Sequence, residues 1–497
     1  MKKLADFEDA DLRIFDRPPL TPRSQLKDVY LIGICGTGMG SLAGLFAQDG
    51  LNVRGSDAKA YPPMSTRLES QGIEILEGYA TGNIEYGPSL TVVGNACTPT
   101  HPEASLARDR RFVQASFPQA LSEYFIQDKR SVVIAGTHGK TTTTALLSHI
   151  FVSSGLDPGF LVGGVLKNYD ASCRIGGGDH FVVEGDEYDS AYFDKRPKFL
   201  HYKPFYAVVT SLEYDHADIF DDLDDYYDAF AEFAGIVHPN GLLVLNGDDE
   251  LVRSLHDYAS TNVVTYGLSP NAFVSATNVA HQNGQIEFNL VVQGKDRGLA
   301  VLPMCGEHNL YNALAACAIA IHAGVSHSQL RNALASFQGI RRRQELIGRV
   351  NDIDIIDDFA HHPTAVRETI QAIKAGYPGR RTVAIFEPRS NSSRRKNFEN
   401  LYVDAFEYAD VVLIKKPPFR HNDTASNFMD IDVIVSKLSA RGINTSSFES
   451  TESLMEFAVE QSEQGDVVLI MSNGGFDGIH GKIIRRLGES QKIEGAS

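Results

Sequence analysis

The sequence predicts an α/β protein of three domains, with a Rossmann-like domain at each end and a mostly parallel sheet in the centre. Its 497 residues are too many for one hydrophobic core at about 100 to 200 residues per domain. Apolar runs of strand length are repeatedly followed by helical periodicity, and polar residues gather where those runs end. We predict domain boundaries at 1–128, 129–339 and 340–497.

The first α/β segment begins at Asp28 with DVYLIGICGTGMGSLAGLFAQDGLNVRGSD. It predicts a strand, a glycine-rich turn, a helix ending near Gly50 and a second strand closing on Ser56 and Asp57, which is a nucleotide-binding βαβ half. The third glycine of G-x-G-x-x-G would fall on Ser41, so a conventional NAD site is not predicted. A nucleotide diphosphate is one interpretation, and glycines that serve close packing alone are the other.

The second segment opens with SVVIAGTHGKTTTTALLSHI, an apolar run, a Gly-Lys-Thr turn and a helical stretch. Backbone N–H groups and the positive end of the helix can cradle polyphosphate, so this is a P-loop and the central domain is a predicted ATPase. Lys140 would reach a terminal phosphate, and Thr141 would offer its hydroxyl to Mg²⁺. The usual first glycine is replaced by Ile134, a departure from the general motif. The predicted ATP-binding residues here are Gly136, Thr137, His138, Gly139, Lys140, Thr141 and Thr142.

Two later strands of this segment end in acidic and imidazole side chains, at the edge where open α/β sheets bind ligands. Mg²⁺ takes oxygen ligands and needs few protein carboxylates beside phosphate, so one carboxylate with Thr141 suffices, and we select Glu184. A histidine such as His216 is more often a capping or hydrogen-bonding group than a Mg²⁺ ligand. The residues at these two strand ends are Glu184, Asp186, Glu187, Asp189, Glu213, Asp215, His216 and Asp218.

The stretch GEHNLYNALAACAIAIHAG predicts a helix with His308, Asn309 and Asn312 in its first turns, which could bind a base or cap the helix.

The third segment repeats the strand-then-polar-loop pattern in IDIIDDFAHHP, RRTVAIFEPR, ADVVLIKKP and GDVVLIMSNGGFDG. Within EPRSNSSRRKN, Arg389 and Arg394 form part of a basic group suited to carboxylates or phosphates. The alternative is a solvated basic turn that caps a helix.

Composition excludes several classes of protein. Lys plus Arg number 46 against 63 Asp plus Glu, a net charge of −17 that argues against bulk binding to nucleic acid or anionic membrane. No apolar stretch approaches the roughly 20 residues of a membrane span, and the amino terminus has no signal core, so we expect a cytoplasmic protein. The five cysteines form no C-x-x-C pair, which predicts reduced thiols without a disulfide scaffold or zinc site.

Four motifs together resemble the Mur ligases, an ATP-dependent family of bacterial cell-wall synthesis, over about the whole chain. They are GICGTGMG, GTHGKTT, GEHNLYNALAA and DDFAHHP. The resemblance implies a UDP-N-acetylmuramate-binding domain, an ATP-binding domain and a peptide-binding domain in that order. It also implies the reaction: ATP phosphorylates the muramoyl carboxylate, and an amine attacks the acyl phosphate to form an amide. A P-loop switch ATPase or a UDP-sugar dehydrogenase would leave one or more of the three segments without a role.

Two branches of the family fit, one taking L-alanine and one, in peptidoglycan recycling, taking the tripeptide L-alanyl-γ-D-glutamyl-meso-diaminopimelate. Three stretches are similar to the tripeptide branch and favour it: EGDEYDSAYFDKRPKFLHYKP, FEPRSNSS and MSNGGFDGIHGK. The L-alanine branch is the alternative. No lysine lies between Ala217 and Val237, so the carbamylated lysine of other Mur ligases has no candidate there.

The resemblance also implies roles for individual residues. Catalysis falls to Lys140, Glu184 and His216, with Thr141 joining the last two at the metal, and GIRRRQE at 339–345 is the implied hinge. The adenosine and phosphate group is His308, Asn309, Asn312, Arg342 and Asp357. The sugar-nucleotide group is Gly36, Thr37, Gly38, Met39, Gly40, Ser56, Asp57 and Asn95. Bidentate guanidinium suits the carboxylates of the tripeptide, so the peptide group is Arg389, Asn391 and Arg394. The general base and the oligomeric state are not predicted.

Overall fold

The computed structural model describes residues 3–60, 64–214, 219–220, 222–282, 284–390, 393–419 and 427–494. Four of the predicted positions therefore lie outside the described residues, namely Asp215, His216, Asp218 and Asn391. Within the described part the chain forms a mixed α/β structure with three large sheets, and most of their strand pairs are parallel. The predicted fold class is confirmed.

The first sheet has five parallel strands in the order β3-β2-β1-β4-β5. This is a Rossmann-like order, and its direction reverses beside β1, where the glycine-rich turn lies. The strands are β1 Asp28–Ile32, β2 Asn52–Asp57, β3 Glu74–Glu77, β4 Leu90–Val93 and β5 Gln114–Ser116. The helices are α1 Ala10–Arg13, α2 Thr37–Gln48, α3 Met64–Ser70, α4 Pro102–Asp109 and α5 Phe117–Leu121.

The central sheet has ten strands in the order β17-β16-β15-β14-β13-β12-β6-β9-β7-β8, and β6 lies between β9 and β12 in parallel register. The strands are β6 Arg130–Ala135, β7 Gly159–Leu166, β8 Ala171–Arg174, β9 His180–Gly185, β12 Tyr206–Val209, β13 Leu242–Asn246, β14 Asn262–Tyr266, β15 Val274–Gln282, β16 Gln285–Val292 and β17 Lys295–Leu302, with a separate hairpin of β10 Asp189–Ala191 and β11 Asp194–Pro197. The helices are α6 Lys140–Ser153, α7 Leu223–Gly235, α8 Glu250–Ser254, α9 Glu307–His322 and α10 His327–Ser336.

The third sheet has six strands in the order β18-β19-β23-β20-β21-β22, parallel except for the antiparallel edge strand β18. The strands are β18 Glu345–Val350, β19 Ile353–Asp358, β20 Thr382–Phe386, β21 Val411–Lys415, β22 Asn444–Phe448 and β23 Val467–Met471. The helices are α11 Pro363–Gly376, α12 Glu399–Ala405, α13 Ile431–Ala440, α14 Thr451–Gln461 and α15 Ile479–Glu494. The inner strands β20, β21 and β23 are mostly apolar, and β19 is buried along its whole length although it carries three aspartates, because helices cover both faces of a parallel sheet.

The chain divides into two compact units. The first comprises residues 1–276, 291–297 and 312–333, and so holds the whole first sheet and most of the central one. The second comprises residues 277–290, 298–311 and 334–497, and holds the third sheet. Each unit is described by itself below. Among the described residues no helix is both long and apolar enough to cross a membrane.

Within the first unit the β10–β11 hairpin packs against the first sheet. Tyr192 and Phe193 of its turn are almost fully buried and share a core with Tyr30 and Ile32 of β1. Phe15, from the amino-terminal segment, has its ring centroid 6.2 Å from that of Tyr192 and 5.9 Å from that of Phe193. Tyr192 and Phe193 belong to the stretch EGDEYDSAYFDKRPKFLHYKP, which favoured the tripeptide branch. Their side chains are buried where the hairpin packs against the first sheet, so they cannot contact a bound peptide.

Candidate active site

The phosphate loop follows β6, an inner strand of the parallel part of the central sheet. Two glycines give it its shape: Gly136 has φ 127° and Gly139 has φ 81°, values that side chains rarely allow. A Cβ at Gly136 would overlap the side chain of Thr210, and one at Gly139 would overlap that of Asn312. Helix α6 begins at Lys140, directly after the second glycine. The turn therefore presents a helix amino terminus and its free N–H groups, the arrangement that binds anions.

The ammonium group of Lys140 is held inside this turn. Its Nζ donates to the backbone oxygen of Gly136 at 2.6 Å and to Oε2 of the fully buried Glu187 at 2.9 Å. Burial alone would lower the pKa of Lys140, but Glu187 and Asp186 outweigh it and raise the pKa above its ordinary value. A cation thus stays charged beside the loop in which polyphosphate would bind.

The hydroxyl of Thr141 and the carboxylate of Glu184 meet beside this lysine. Glu184 lies on β9 opposite Ile134 of β6, and Thr141 Oγ1 donates to Glu184 Oε2 at 3.1 Å. Oxygens on neighbouring vertices of an octahedral Mg²⁺ shell are about 3 Å apart, given ligand distances of about 2.1 Å. A hydroxyl and a carboxylate at this separation fit Mg²⁺ in type and spacing.

The side chains between the two glycines contact the strand-end loop after β12. Thr137 Oγ1 donates to the backbone oxygen of Glu213 at 3.1 Å, and His138 Nε2 lies 3.2 Å from Glu213 Oε2. The backbone N–H of His138 donates to Ser211 Oγ at 3.0 Å. Thr142 lies buried in the first turn of α6. The predicted loop residues and Glu184 therefore form one cluster.

The predicted adenosine group is divided between the two units. In the first unit, Asn312 Oδ1 accepts from Thr143 Oγ1 at 3.2 Å, beside the phosphate loop. In the second unit, Asn309 Nδ2 donates to the backbone oxygen of Cys305 at 2.7 Å, which ties the first turn of α9 to the residue two positions before the helix. His308 Nε2 lies 3.3 Å from Gln344 Nε2 in that unit. Of the three residues, Asn312 is the one that lies beside the phosphate loop.

The predicted sugar-nucleotide group follows β1, β2 and β4, at the carboxyl edge of the first sheet. Gly36 and Thr37 at the start of α2 are exposed, and Asn95, two residues beyond β4, is half-buried. Asp57 accepts the backbone N–H of Cys35 at 2.9 Å, which ties the glycine-rich turn to β2. Asp57 also accepts the backbone N–H of Ala58 at 2.8 Å.

Two members of that group have their side chains in the interior. Met39 packs in the hydrophobic core, and Ser56 is fully buried with its hydroxyl donating to Glu103 Oε2 at 2.5 Å. Glu103 also accepts from Tyr30 and Asn83, at 3.2 and 2.7 Å. Sequence reasoning placed Met39 and Ser56 on the ligand and missed Glu103, because a single glutamate in a helix gives no signal of the strands it contacts.

At the carboxyl edge of the third sheet, Arg342 connects the hinge stretch to two strand ends. Its guanidinium lies 3.3 Å from the carboxylate of Asp357 and donates to the backbone oxygens of Ser472 and Gly474, both at 2.7 Å. Asp357 is also 3.0 Å from Nε2 of His480. Arg342 and Asp357, both predicted for adenosine and phosphate, therefore lie together in the second unit.

The basic loop after β20 brings one of its arginines to the same edge. Arg389 is exposed, and its guanidinium packs so closely on Gly474 that a Cβ there would overlap it. Arg394, predicted for the same role, is buried instead and donates to the backbone oxygen of Pro418 at 3.4 Å, with Phe428 beneath its guanidinium. A buried guanidinium packed on the neighbouring loop is a poor receptor for an external carboxylate, so Arg389 is the better placed of the two.

Comparison with known families and proteins identifies the family. The Mur ligase family catalytic domain matches residues 28–129, the Mur ligase middle domain matches 134–320, and the Mur ligase glutamate ligase domain matches 342–474. UDP-N-acetylmuramate–L-alanyl-gamma-D-glutamyl-meso-2,6-diaminoheptandioate ligase of Escherichia coli is 36% identical over 473 residues, 94% of this chain and 99% of that protein.

Two further relatives have the same arrangement. UDP-N-acetylmuramate–L-alanine ligase of Desulfitobacterium hafniense is 32% identical over 447 residues, 90% of this chain and 97% of that protein. The solved structure of a murein peptide ligase from Psychrobacter arcticus aligns with a TM-score of 0.70 and 34% identity, covering 93% of this chain and 99% of that one. The chain therefore belongs to the Mur ligase family, whose members are ATP-dependent ligases that form C–N bonds.

Proposed function

We propose that this protein joins the tripeptide L-alanyl-γ-D-glutamyl-meso-diaminopimelate to the lactyl carboxylate of UDP-N-acetylmuramate, with ATP and Mg²⁺, in the cytoplasm. The reaction passes through an acyl phosphate and serves peptidoglycan recycling. The proposal includes the division into sugar-nucleotide (1–128), ATP (129–339) and peptide (340–497) domains.

The observation that carries the choice of amine is the meeting of two distant stretches. FEPRSNSS follows β20 and MSNGGFDGIHGK follows the neighbouring strand β23, and Arg389 from the first packs on Gly474 from the second. Ser472 and Glu387, also from these two stretches, are joined by a hydrogen bond of 2.5 Å between Oγ and Oε2. Both stretches favour the tripeptide branch, and together they present a guanidinium at the ligand-binding edge of a parallel sheet.

This guanidinium suits the tripeptide better than alanine. L-Alanine has one carboxylate, close to the amine that must react, whereas the tripeptide has further carboxylates at a distance from its amine. A guanidinium binds a carboxylate through two parallel hydrogen bonds, so an exposed arginine at a fixed position selects for a substrate of that length. Identity to relatives points the same way, since the tripeptide ligase of Escherichia coli is 36% identical to this chain and the L-alanine ligase of Desulfitobacterium hafniense is 32% identical.

The phosphate loop supports the first chemical step. The lactyl carboxylate must approach the γ-phosphate of ATP, and two anions repel each other. Lys140, charged and fixed at the helix amino terminus, would neutralise the transferring phosphoryl group and hold it in line with the carboxylate. Thr141 and Glu184, with His216, would hold Mg²⁺, which when bound supplies further positive charge to the phosphates.

The second step is attack of the neutral amine of the peptide on the acyl phosphate. The new C–N bond forms as the C–O bond to phosphate breaks, and the phosphate leaves with the electron pair while the amine gives up a proton. The exposed turn at Gly36 and Thr37, with Asp57 and Asn95, would hold the sugar nucleotide whose carboxylate reacts. The bound peptide would be oriented through Arg389.

The test is phosphate release with ATP, Mg²⁺ and UDP-N-acetylmuramate, comparing the tripeptide with L-alanine as the amine. We expect kcat/KM for the tripeptide to exceed that for L-alanine by at least about 100-fold, the effect of two lost charge-assisted contacts. Preference for L-alanine would overturn the proposal and assign the alanine reaction.

A variant pair tests the peptide site itself. Arg389→Ala should raise KM for the tripeptide roughly tenfold or more and leave KM for ATP within about twofold. Arg441→Ala is the matched control, since this arginine belongs to the same unit but pairs with Asp404 on the surface. Equal effects of the two substitutions on tripeptide KM would remove Arg389 from the site.

A further inference from the structure

We propose that Glu187 is the positioning residue for Lys140, and that Tyr226 in turn holds Glu187. Glu187 and Tyr226 together hold the Lys140 side chain in place beside the phosphate loop before ATP binds. The inference rests on the proposed ATP-dependent function and adds to it two residues that no motif singles out. Neither residue is proposed to touch substrate.

The contacts form one continuous network. Both carboxylate oxygens of Glu187 have partners: Oε2 accepts from Lys140 Nζ at 2.9 Å, and Oε1 accepts from the Tyr226 hydroxyl at 3.3 Å. The Tyr226 hydroxyl also lies 3.0 Å from Oγ1 of Thr137. Glu187 and Tyr226 have no exposed surface. The network thus begins and ends on the phosphate loop, at Thr137 and at Lys140.

A buried network of this kind determines the position of a flexible side chain. A lysine side chain has four rotatable bonds, and a lysine left free would lose rotamer entropy when ATP binds. Glu187 removes that loss from the binding step by holding the lysine already in the folded protein, because Glu187 follows the end of β9 by two residues and is itself held in place. Tyr226 adds a second anchor from α7, whose apolar face packs in the core of the same unit.

The position of Glu187 separates it from the proposed metal ligands. Glu184 lies on β9 and contacts Thr141, whereas Glu187 is fully buried and contacts Lys140. One short segment therefore supplies a carboxylate for the metal and another for the lysine. A burial cost for the second carboxylate is expected, and it is offset only while the lysine and the tyrosine hydroxyl are both present.

The decisive experiment is a double-mutant cycle of Lys140→Ala and Glu187→Gln, read as binding of MgATP to the whole protein by calorimetry. We expect Glu187→Gln alone to weaken MgATP binding about tenfold or more and to leave AMP binding within twofold, because the lysine reaches only the terminal phosphates. In the Lys140→Ala background, Glu187→Gln should have no further effect. Additive losses would show that Glu187 acts without Lys140 and would overturn the inference.

Two more variants keep the test informative if Glu187→Gln folds poorly. Tyr226→Phe removes the hydroxyl and its contacts with Glu187 and Thr137 but keeps the ring, and we expect a loss of about three- to tenfold in ATP binding. Asp189→Asn is the matched control, because Asp189 lies two residues beyond Glu187 but its carboxylate pairs with Lys195, and the variant should leave ATP binding unchanged. Unaltered ATP binding in Tyr226→Phe would remove the tyrosine from the network.

These readouts are independent of the peptide proposal. MgATP binding does not require the identity of the amine, so a protein that prefers L-alanine would still give the expected cycle. A protein that ligates the tripeptide but shows an additive cycle would retain the proposed function and lose this inference.

Discussion

Two glycine-rich turns occupy equivalent places in the molecule, one between β1 and α2 and one between β6 and α6. Each follows an inner strand of a parallel sheet and ends at the amino terminus of a helix. In both turns glycine sets the backbone: Gly33 has φ 82° in the first, and Gly136 and Gly139 have φ 127° and 81° in the second. The first turn is distinguished by the glycines that follow it in α2, which permit packing: a Cβ at Gly40 would overlap Met64, and one at Gly38 would contact the Phe117 ring at 3.3 Å.

The turns also differ in their side chains. The first offers no cation, and Asp57 accepts the N–H of Cys35 within it. The second holds Lys140 in an ion pair and places Thr141 against Glu184. With the functions proposed above, the comparison teaches that a turn proposed only to bind the sugar nucleotide can rely on backbone groups, whereas one proposed to activate phosphate requires fixed charge.

The largest effect should come from Lys140→Ala. Loss of the one cationic side chain that we assign to the transferring phosphate should lower the rate of ligation by on the order of 1000-fold, and the affinity for UDP-N-acetylmuramate should stay within about threefold. Steady-state kinetics and calorimetry with the sugar nucleotide measure the two quantities. Parallel loss of both would contradict separate roles for the two turns.

The next effect concerns the buried carboxylate beneath the first turn. Glu103→Ala would leave the hydroxyls of Tyr30 and Ser56 and the amide of Asn83 without their acceptor, at a cost of about 3 kcal/mol of unfolding free energy. Denaturant unfolding measures it. Glu69→Ala, an exposed position on α3, is the control and should change stability by less than about 0.5 kcal/mol.

A matched pair of substitutions compares Gly139, which sets the backbone of the phosphate loop, with Gly38, which permits packing of α2 beside the first turn. Gly139→Ala forces a side chain into the left-handed region and against Asn312, so we expect a loss of about 1 to 2 kcal/mol in stability together with weaker ATP binding. Gly38→Ala lies in a helix with ordinary φ, and the gain in helix propensity offsets its tight contact with Phe117. Equal destabilisation by the two substitutions would contradict the distinction between a glycine that sets the backbone of a turn and one that permits helix packing.

The smallest effect is expected for Cys35→Ala in the first turn. Burial raises the pKa of the Cys35 thiol to about 11, and Asp57 acts in the same direction. The thiol is therefore neutral throughout pH 7 to 9, and only the backbone N–H of this residue contacts Asp57. Ligation by the variant should stay within about twofold of the original, with an unchanged pH profile over that range. A profile that differs between the two proteins would assign the thiol a role.

Much of the fold was predictable because parallel strands buried on both faces are continuous apolar runs. β6, β9, β19, β20, β21 and β23 all lie within stretches predicted as strands. Strand β18 was not predicted, since an edge strand of mixed polarity has no such run. The position of β23 between β19 and β20 depends on packing of distant segments, which periodicity does not describe.

The candidate site was predictable where chemistry is local in sequence. The phosphate loop is a contiguous motif, and Glu184 ends a recognisable strand. Tyr226 was not predicted because its partner lies in another segment of the chain, and Glu187 appeared only as one of several acidic residues. Arg394 resembled a binding residue by composition, but its burial depends on the neighbouring loop.

The hairpin that buries Tyr192 and Phe193 has a thermodynamic consequence. The hairpin packs on the first sheet, and α2 and β6 contribute to one hydrophobic core. Each of the two sheets would therefore expose part of its hydrophobic core if the other unfolded. Heating should therefore melt the two sheets in one cooperative transition, and deletion of residues 3–17 should lower the temperature of that transition while the third sheet melts unchanged.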